Sequence, residues 1–259
     1  MLERMDDFFN SRLDGYEEHQ LHAIEQAETF YPITASHLPE TPHARVLDLG
    51  CGTGLELGYY FDRNPTACVT GIDLAGDMLN ALHSKFPDKL LTLVQGSYFT
   101  VPFGECCYDA VVSVESLHHF TQAEKIPLYQ KVLRALIPGG CLILTDYFAE
   151  SDEQEAFLRS ELLRLKAEQG IQDEEFYHYD TPLTVPHEME ALQIAGFPHV
   201  EELGRWGATH LLRAEKPAPF PNATHPIDLK SAPDARENSD RIKMIRKTCN
   251  KSQVEISKY

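Results

Sequence analysis

No run of apolar residues in this chain approaches the roughly 18–20 needed to cross a bilayer as a helix, so no transmembrane span is expected. The first residues, Met1 to Asp7, are acidic and contain no apolar stretch, which argues against a signal peptide. A cytoplasmic location is the expectation. The six cysteines (51, 68, 106, 107, 141 and 249) include no C-x-x-C pair, and no His-rich metal spacing accompanies them. They read as reduced thiols, most of them buried, and no metal site is expected.

Positive charge is also scarce. Lys and Arg number 23 against 40 Asp and Glu, for a net charge of -17. The deficit is uneven: residues 214–259 carry nine basic against six acidic side chains, leaving -20 on residues 1–213. A field of that sign repels phosphate backbones, which proteins bind mainly through Lys and Arg. Nucleic acid is therefore not expected as a partner of the body of the chain, and neither is a membrane.

What is present is an alternation of strands and helices. Residues 44–49 (Ala-Arg-Val-Leu-Asp-Leu) read as a buried strand followed at once by glycines. Further strands are expected over Ala67–Ile72, Leu90–Gln95, Tyr108–Val114 and Cys141–Tyr147, the last entered through a Pro138-Gly-Gly turn. Between them, Met78, Leu79, Leu82 and Phe86 share one helical face. Thr121-x-x-Glu124 and Ser151-x-x-Gln154 are capping-box starts for two more helices. Pro127 lies too deep in the first of these for an N-terminal turn, so a kink or restart is expected there. His187–Ala195 reads as a helix ending at Gly196, and two last strands around Trp206-Gly207 form an antiparallel pair. This order implies a mostly parallel α/β sheet covered by helices on both faces.

The most informative stretch is Val46-Leu-Asp-Leu-Gly-Cys-Gly-Thr-Gly54, a D-x-G-x-G-x-G pattern between a strand and a helix. Glycine suits a tight strand-to-helix turn that visits positive φ and lets a ligand approach bare backbone. Open α/β sheets bind ligands at the carboxyl ends of their strands. The dinucleotide fingerprint G-x-G-x-x-G fails, because its third glycine would fall on Leu55 or Leu57. A phosphate-cradling P-loop fails as well, since no Gly-Lys-Ser/Thr follows.

Taken with four later segments, this stretch resembles the class I S-adenosylmethionine-dependent methyltransferases, and in particular their small-molecule branch. The other segments are Gly71-Ile-Asp-Leu74 with Asp77-Met-Leu79, Gln95-Gly-Ser97, Tyr108 through Phe120, and Leu133 through Gly140. The resemblance implies a Rossmann-like, doubly wound seven-stranded sheet with an antiparallel last strand. It implies S-adenosyl-L-methionine as cofactor. Gly50, Gly52 and Gly54 would line its methionine and ribose portion, and Asp48 would face the methionine ammonium directly or through water. Asp73 would accept both ribose hydroxyls through charge-assisted bonds. Leu74 would pack on the adenine, with Gly96 and Ser97 at its edge; many relatives carry Asp in place of Ser97. Glu115 and Ser116 would face the sulfonium and methyl.

The resemblance describes cofactor binding and says little of catalysis, because methyl transfer needs mainly alignment of donor and nucleophile. Any base required is expected from Glu115, His118 or His178. No Asn/Asp-Pro-Pro-Tyr-like motif follows the fourth strand and no Pro-Cys dipeptide occurs, against nucleic-acid amino- and cytosine C5-methylation. Glu115 and Asp146 alone are too few carboxylates for a catechol-type metal site. A small-molecule acceptor is expected. The alternatives are a non-catalytic S-adenosylmethionine or S-adenosylhomocysteine binder and a nicotinamide-dependent oxidoreductase. Residues 1–38 are expected to form a helical cap, 39–215 the cofactor-binding domain, and 216–259 a mobile tail. The acceptor pocket is expected between Phe8, Phe9, Tyr16, Phe30 and Tyr31 on one side and Tyr147, Tyr177, His178 and Tyr179 on the other.

Overall fold

The computed structural model describes residues 1–173 and 175–218. The expected tail therefore lies, from residue 219 on, outside the described residues. The sheet holds β1 (Arg45–Leu49), β2 (Cys68–Asp73), β3 (Leu90–Gln95), β4 (Tyr108–Val114), β5 (Leu136–Tyr147), β6 (His199–Trp206) and β7 (Thr209–Glu215). Their order across the sheet is β3-β2-β1-β4-β5-β7-β6. β1 to β5 pair in parallel, and β7 enters antiparallel to both β5 and β6. The order reverses beside β1, so β1 and β4 part their following loops at the switch point where such sheets bind ligands.

The helices are α1 (Met5–Ser11), α2 (Tyr16–Ala23), α3 (Ala27–Ser36), α4 (Leu55–Arg63), α5 (Gly76–Lys85), α6 (Gln122–Ala135), α7 (Asp152–Glu168) and α8 (Val185–Ala195). Alternation along the strands sorts side chains into two cores, since successive strand residues face opposite ways. Leu47, Leu49, Val111 and Leu142 join α6 and α8 on one face. Val46, Val112 and Ile143 join α3 and α4 on the other. Asp48 alternates with Leu47 and Leu49, so it is carried to the α4 side.

The Thr121 capping box forms as its sequence predicts, with Thr121 accepting from the Glu124 N–H. α6 then runs through Pro127 to Ala135 without a restart. β5 begins earlier than expected. Tyr108 pairs with Leu136 and Ala110 with Cys141, so the Pro138-Gly-Gly segment is taken up as an irregularity within the strand. Gly139, at φ +81°, makes this possible while its N–H donates to the Lys216 carbonyl. Phe30 and Tyr31 are not pocket walls: α3 lies on the sheet, and both are buried in its core near Trp206.

Candidate functional site

At the carboxyl end of β1 the chain turns through Gly50, Gly52 and Gly54, all at positive φ. The Gly50 N–H donates to the Ile72 carbonyl (2.8 Å), and the Gly52 N–H donates to Asp73 Oδ2 (2.9 Å). Asp73 Oδ1 accepts from the Ala75 N–H (2.8 Å). The carboxylate thus fixes the glycine loop and the start of the following turn, and each oxygen keeps a lone pair for a ligand. Burial raises the Asp73 pKa, opposed by those backbone donors. A side chain at Gly50 would collide with Ser116, the added Cβ lying 2.0 Å from Oγ. Backbone of β1 and the loop after β4 therefore touch here.

The loop after β4 carries the titratable groups. Glu115 sits at φ +49°, an uncommon conformation for a non-glycine residue, and its N–H donates to the Thr145 carbonyl (2.8 Å). Its Oε1 accepts from Thr209 Oγ1 at 3.1 Å. Burial, with Asp146 nearby, pushes the Glu115 carboxyl up to about 7. Asp146, 1% exposed, accepts from the Leu117 N–H (2.9 Å) and lies 2.6 Å from His118 Nδ1. Asp180 stands on the other side of the ring, 3.5 Å from His118 Nε2. Burial pulls the His118 pKa down, but these two carboxylates outweigh it and hold it well above its ordinary value. His119 goes the other way, lowered by burial and by His118 beside it.

The N-terminal segment closes over this end of the sheet. Arg4 and Tyr177 form an antiparallel bridge, the Met5 N–H donates to the Phe176 carbonyl (2.9 Å), and the His178 N–H donates to the Glu3 carbonyl (3.0 Å). Phe8 stacks flat on His178 with ring centroids 3.5 Å apart. Below them a cleft of about 520 Å³, partly open to solvent, is lined by Gly50, Gly52, Asp73, Leu74, Glu115 and Ser116. Met5, Phe9, Tyr16, Met78, Tyr98, Val114 and His119 complete its wall.

Six of the ten residues expected to bind the cofactor thus meet in one cleft, together with Phe9 and Tyr16. Asp48, Gly54, Gly96 and Ser97 do not line it. Gly54 begins α4, where a Cβ would fall 2.4 Å from Leu82. The Gly96 N–H donates to the Asp73 carbonyl (2.8 Å), and Ser97 Oγ accepts from the Phe99 N–H (3.2 Å). Asp48 is 1% exposed and lies against the buried Glu56, with which its carboxyl can share a proton. Burial and the neighbouring Glu56 raise its pKa well above the carboxylate range. His118 and His178 stand behind His119 and under Phe8, at the rim. Tyr16 was expected on the acceptor side; it instead faces the glycine loop, its Oη 3.7 Å from where a Gly52 Cβ would be. Its nearest sequence signal was a position in a weakly patterned helix, too little to place it.

A twisted sheet with a glycine turn after β1, a carboxylate ending β2 and a cleft between β1 and β4 defines the class I methyltransferase fold. Residues 46–140 match the family described as a methyltransferase domain. The chain is 33% identical over 125 residues to an uncharacterized methyltransferase of Synechocystis, covering 48% of this chain and 57% of that one. It is 35% identical over 102 residues to a fatty-acid O-methyltransferase of Mycolicibacterium smegmatis, covering 39% and 36% respectively. The matched segments thus span 57% and 36% of the length of these two relatives. Among solved structures, the YcgJ protein of Bacillus subtilis shares the fold with a TM-score of 0.57 at 15% identity, over 73% of this chain and 98% of that one. Residues 46–140 thus carry a methyltransferase domain, and the chain is similar to the class I S-adenosylmethionine-dependent methyltransferases.

The family's cofactor is S-adenosyl-L-methionine, and the cleft fits it. Asp73 retains acceptor capacity at the end of β2, the loop at Gly50 and Gly52 offers bare backbone, and Leu74 and Met78 supply an apolar wall. No described helix is long and apolar enough to cross a membrane.

Proposed function

We propose that this chain transfers a methyl group from S-adenosylmethionine to a small organic acceptor. The observation that carries this reading is one cleft in which Asp73 and the glycine loop share a wall with Glu115, Ser116 and His119. Asp73 would hold the ribose, Gly50 and Gly52 the methionine portion, Leu74 the adenine face, and Gly96 and Ser97 its edge. Asp48 does not line the cleft, and Gly54 acts at one remove, through the start of α4. S-Adenosylmethionine supplies a methyl group already activated on a sulfonium, so the protein's part is alignment and exclusion of water.

Glu115 is the proton acceptor for an acceptor that arrives protonated. It lines the cleft, and a pKa near 7 lets it take a proton at neutral pH. His118 is held between Asp146 and Asp180, and His178 forms part of the aromatic cap with Phe8. Phe9 and Met5 give the cleft an apolar wall, which suits a small, partly apolar acceptor. Calorimetry with S-adenosylmethionine and NAD, followed by labelled-methyl transfer to metabolites from a cell extract, tests the reading. Binding of the first alone and a labelled small-molecule product are expected. Binding without transfer to any metabolite would leave a binding protein rather than an enzyme.

A further inference from the structure

Sequence spacing predicts no metal ligands, yet the fold gathers four titratable side chains at the rim of the cleft. Asp180 Oδ1 lies 3.5 Å from His118 Nε2 and 3.3 Å from His119 Nδ1. One ligating atom from each of these three residues falls within 4.8 Å of the others. We propose that His118, His119 and Asp180 bind a divalent first-row transition-metal ion, with Asp146 orienting His118 from behind.

The distances favour a shared ion over a set of pairwise bonds. Two donors bound at about 2.0–2.1 Å with tetrahedral angles stand about 3.3–3.4 Å apart. The two histidine contacts to Asp180, 3.5 and 3.3 Å, are close to that length, whereas the His118 contact to Asp146 is 2.6 Å, a charge-assisted hydrogen bond. Asp146 thus takes the Nδ1 hydrogen, and an ion at Nε2 would displace the proton that the ring otherwise shares with Asp180. A carboxylate behind a ligating imidazole fixes its tautomer and raises its basicity in the same way. Asp146 is itself pinned by the Leu117 and Tyr147 N–H groups.

The ligands come from two loops that are tied together. The Thr181 N–H donates to the His118 carbonyl at 2.9 Å, so Asp180 is held against the histidines without the ion. His119 Nδ1 also lies 3.2 Å from the Tyr179 carbonyl oxygen, which becomes a fourth donor when the ion replaces the hydrogen between them. Two imidazoles with one carboxylate and a carbonyl suit zinc, iron, cobalt or nickel better than magnesium or calcium. His119 lines the cleft, so a fifth coordination position on the ion would open towards it. There the ion would take an acceptor oxygen and acidify its hydroxyl; that role rests on the methyl-transfer reading, while the site itself does not.

The full chain, stripped with chelator and dialysed, is titrated with Co²⁺ while the visible d–d absorption is followed. One ion per chain with a four- or five-coordinate spectrum is expected, displaced by Zn²⁺. Asp146→Asn should weaken binding roughly 10–100-fold, and His118→Ala or Asp180→Ala by more. Asp180 has a half-exposed side chain, so its removal leaves the fold intact where loss of His118 does not. Cofactor affinity, read separately by calorimetry, should change less than about threefold in Asp180→Ala, which separates a failed metal site from a failed cofactor site. No Co²⁺ binding below millimolar, or binding unchanged in Asp180→Ala, overturns the proposal.

Discussion

Asp73 Oδ2 accepts the Gly52 N–H at 2.9 Å, so the carboxylate expected to hold the ribose also holds the loop expected to surround the methionine portion. Those two tasks are joined in one side chain. Asp73→Ala should therefore weaken S-adenosylmethionine binding by more than one lost bond, at least tenfold, since about 1.4 kcal/mol is tenfold and a charge-assisted bond contributes about 1.5–3 kcal/mol. Asp73→Asn keeps one acceptor oxygen and should lose less. Calorimetry showing unchanged affinity in Asp73→Ala would remove this residue from the site.

Glu115 gives the reaction a pH dependence. Its carboxyl is pushed up to about 7 by burial and by Asp146, and only the ionised form accepts a proton. Turnover at saturating substrate should rise with pH through about 7 and level off above it. The same raised pKa works against stability, because the unfolded chain ionises earlier: the contribution is full below the ordinary carboxylate pKa and lost as pH rises through 7. Glu115→Gln should lower turnover and flatten the profile between pH 6 and pH 8. A rate profile identical to that of the unaltered protein would assign the base elsewhere.

Removal of residues 1–20 takes away Met5, Phe9 and Tyr16 from the cleft and Phe8 from His178. The sheet and its parallel core remain, because none of its strands lies in this segment. Methyl transfer should be abolished, while the truncated chain keeps its far-ultraviolet circular dichroism and binds cofactor more weakly. Retained turnover of an identified acceptor would show that the N-terminal segment is no part of the pocket.

Away from the cleft, Glu188 is fully buried between α6 and α8, where it accepts from Lys125 Nζ and Tyr129 Oη. Glu188→Ala leaves the Lys125 ammonium, 1% exposed, without its counter-charge. Breaking such a pair costs about 3–5 kcal/mol, measurable as a lower midpoint in urea with cofactor affinity unchanged at concentrations where the protein is folded. A shift under about 1 kcal/mol would mean that Lys125 finds water or another partner.

Local chemistry was legible from the chain alone. The near-continuous apolar run of Val46 to Leu49 marks a strand buried on both faces, and the glycines after it suit a turn at positive φ. Thr121 and Glu124 announce their helix because a capping box closes within four residues. Asp73 could be placed through the resemblance, because it ends the second strand of the motif series. Each of these is set by neighbours close in sequence.

The tertiary structure alone decided what converges on the cleft. Tyr16 and Phe9 reach it through α1 and α2, whose sequence patterns are weak and whose position is set by backbone bonds to residues 176 and 178. Asp48 lies on the α4 side of β1, beside Glu56 and outside the lining of the cleft. His118, Asp146 and Asp180 are separated by 28 and 34 residues, and no periodicity links them. They meet because β4 and β5 end side by side and the Thr181 N–H anchors the next loop on His118. Sequence specifies each turn and face, whereas contacts between loops depend on how whole elements pack, and that is where this protein's chemistry lies.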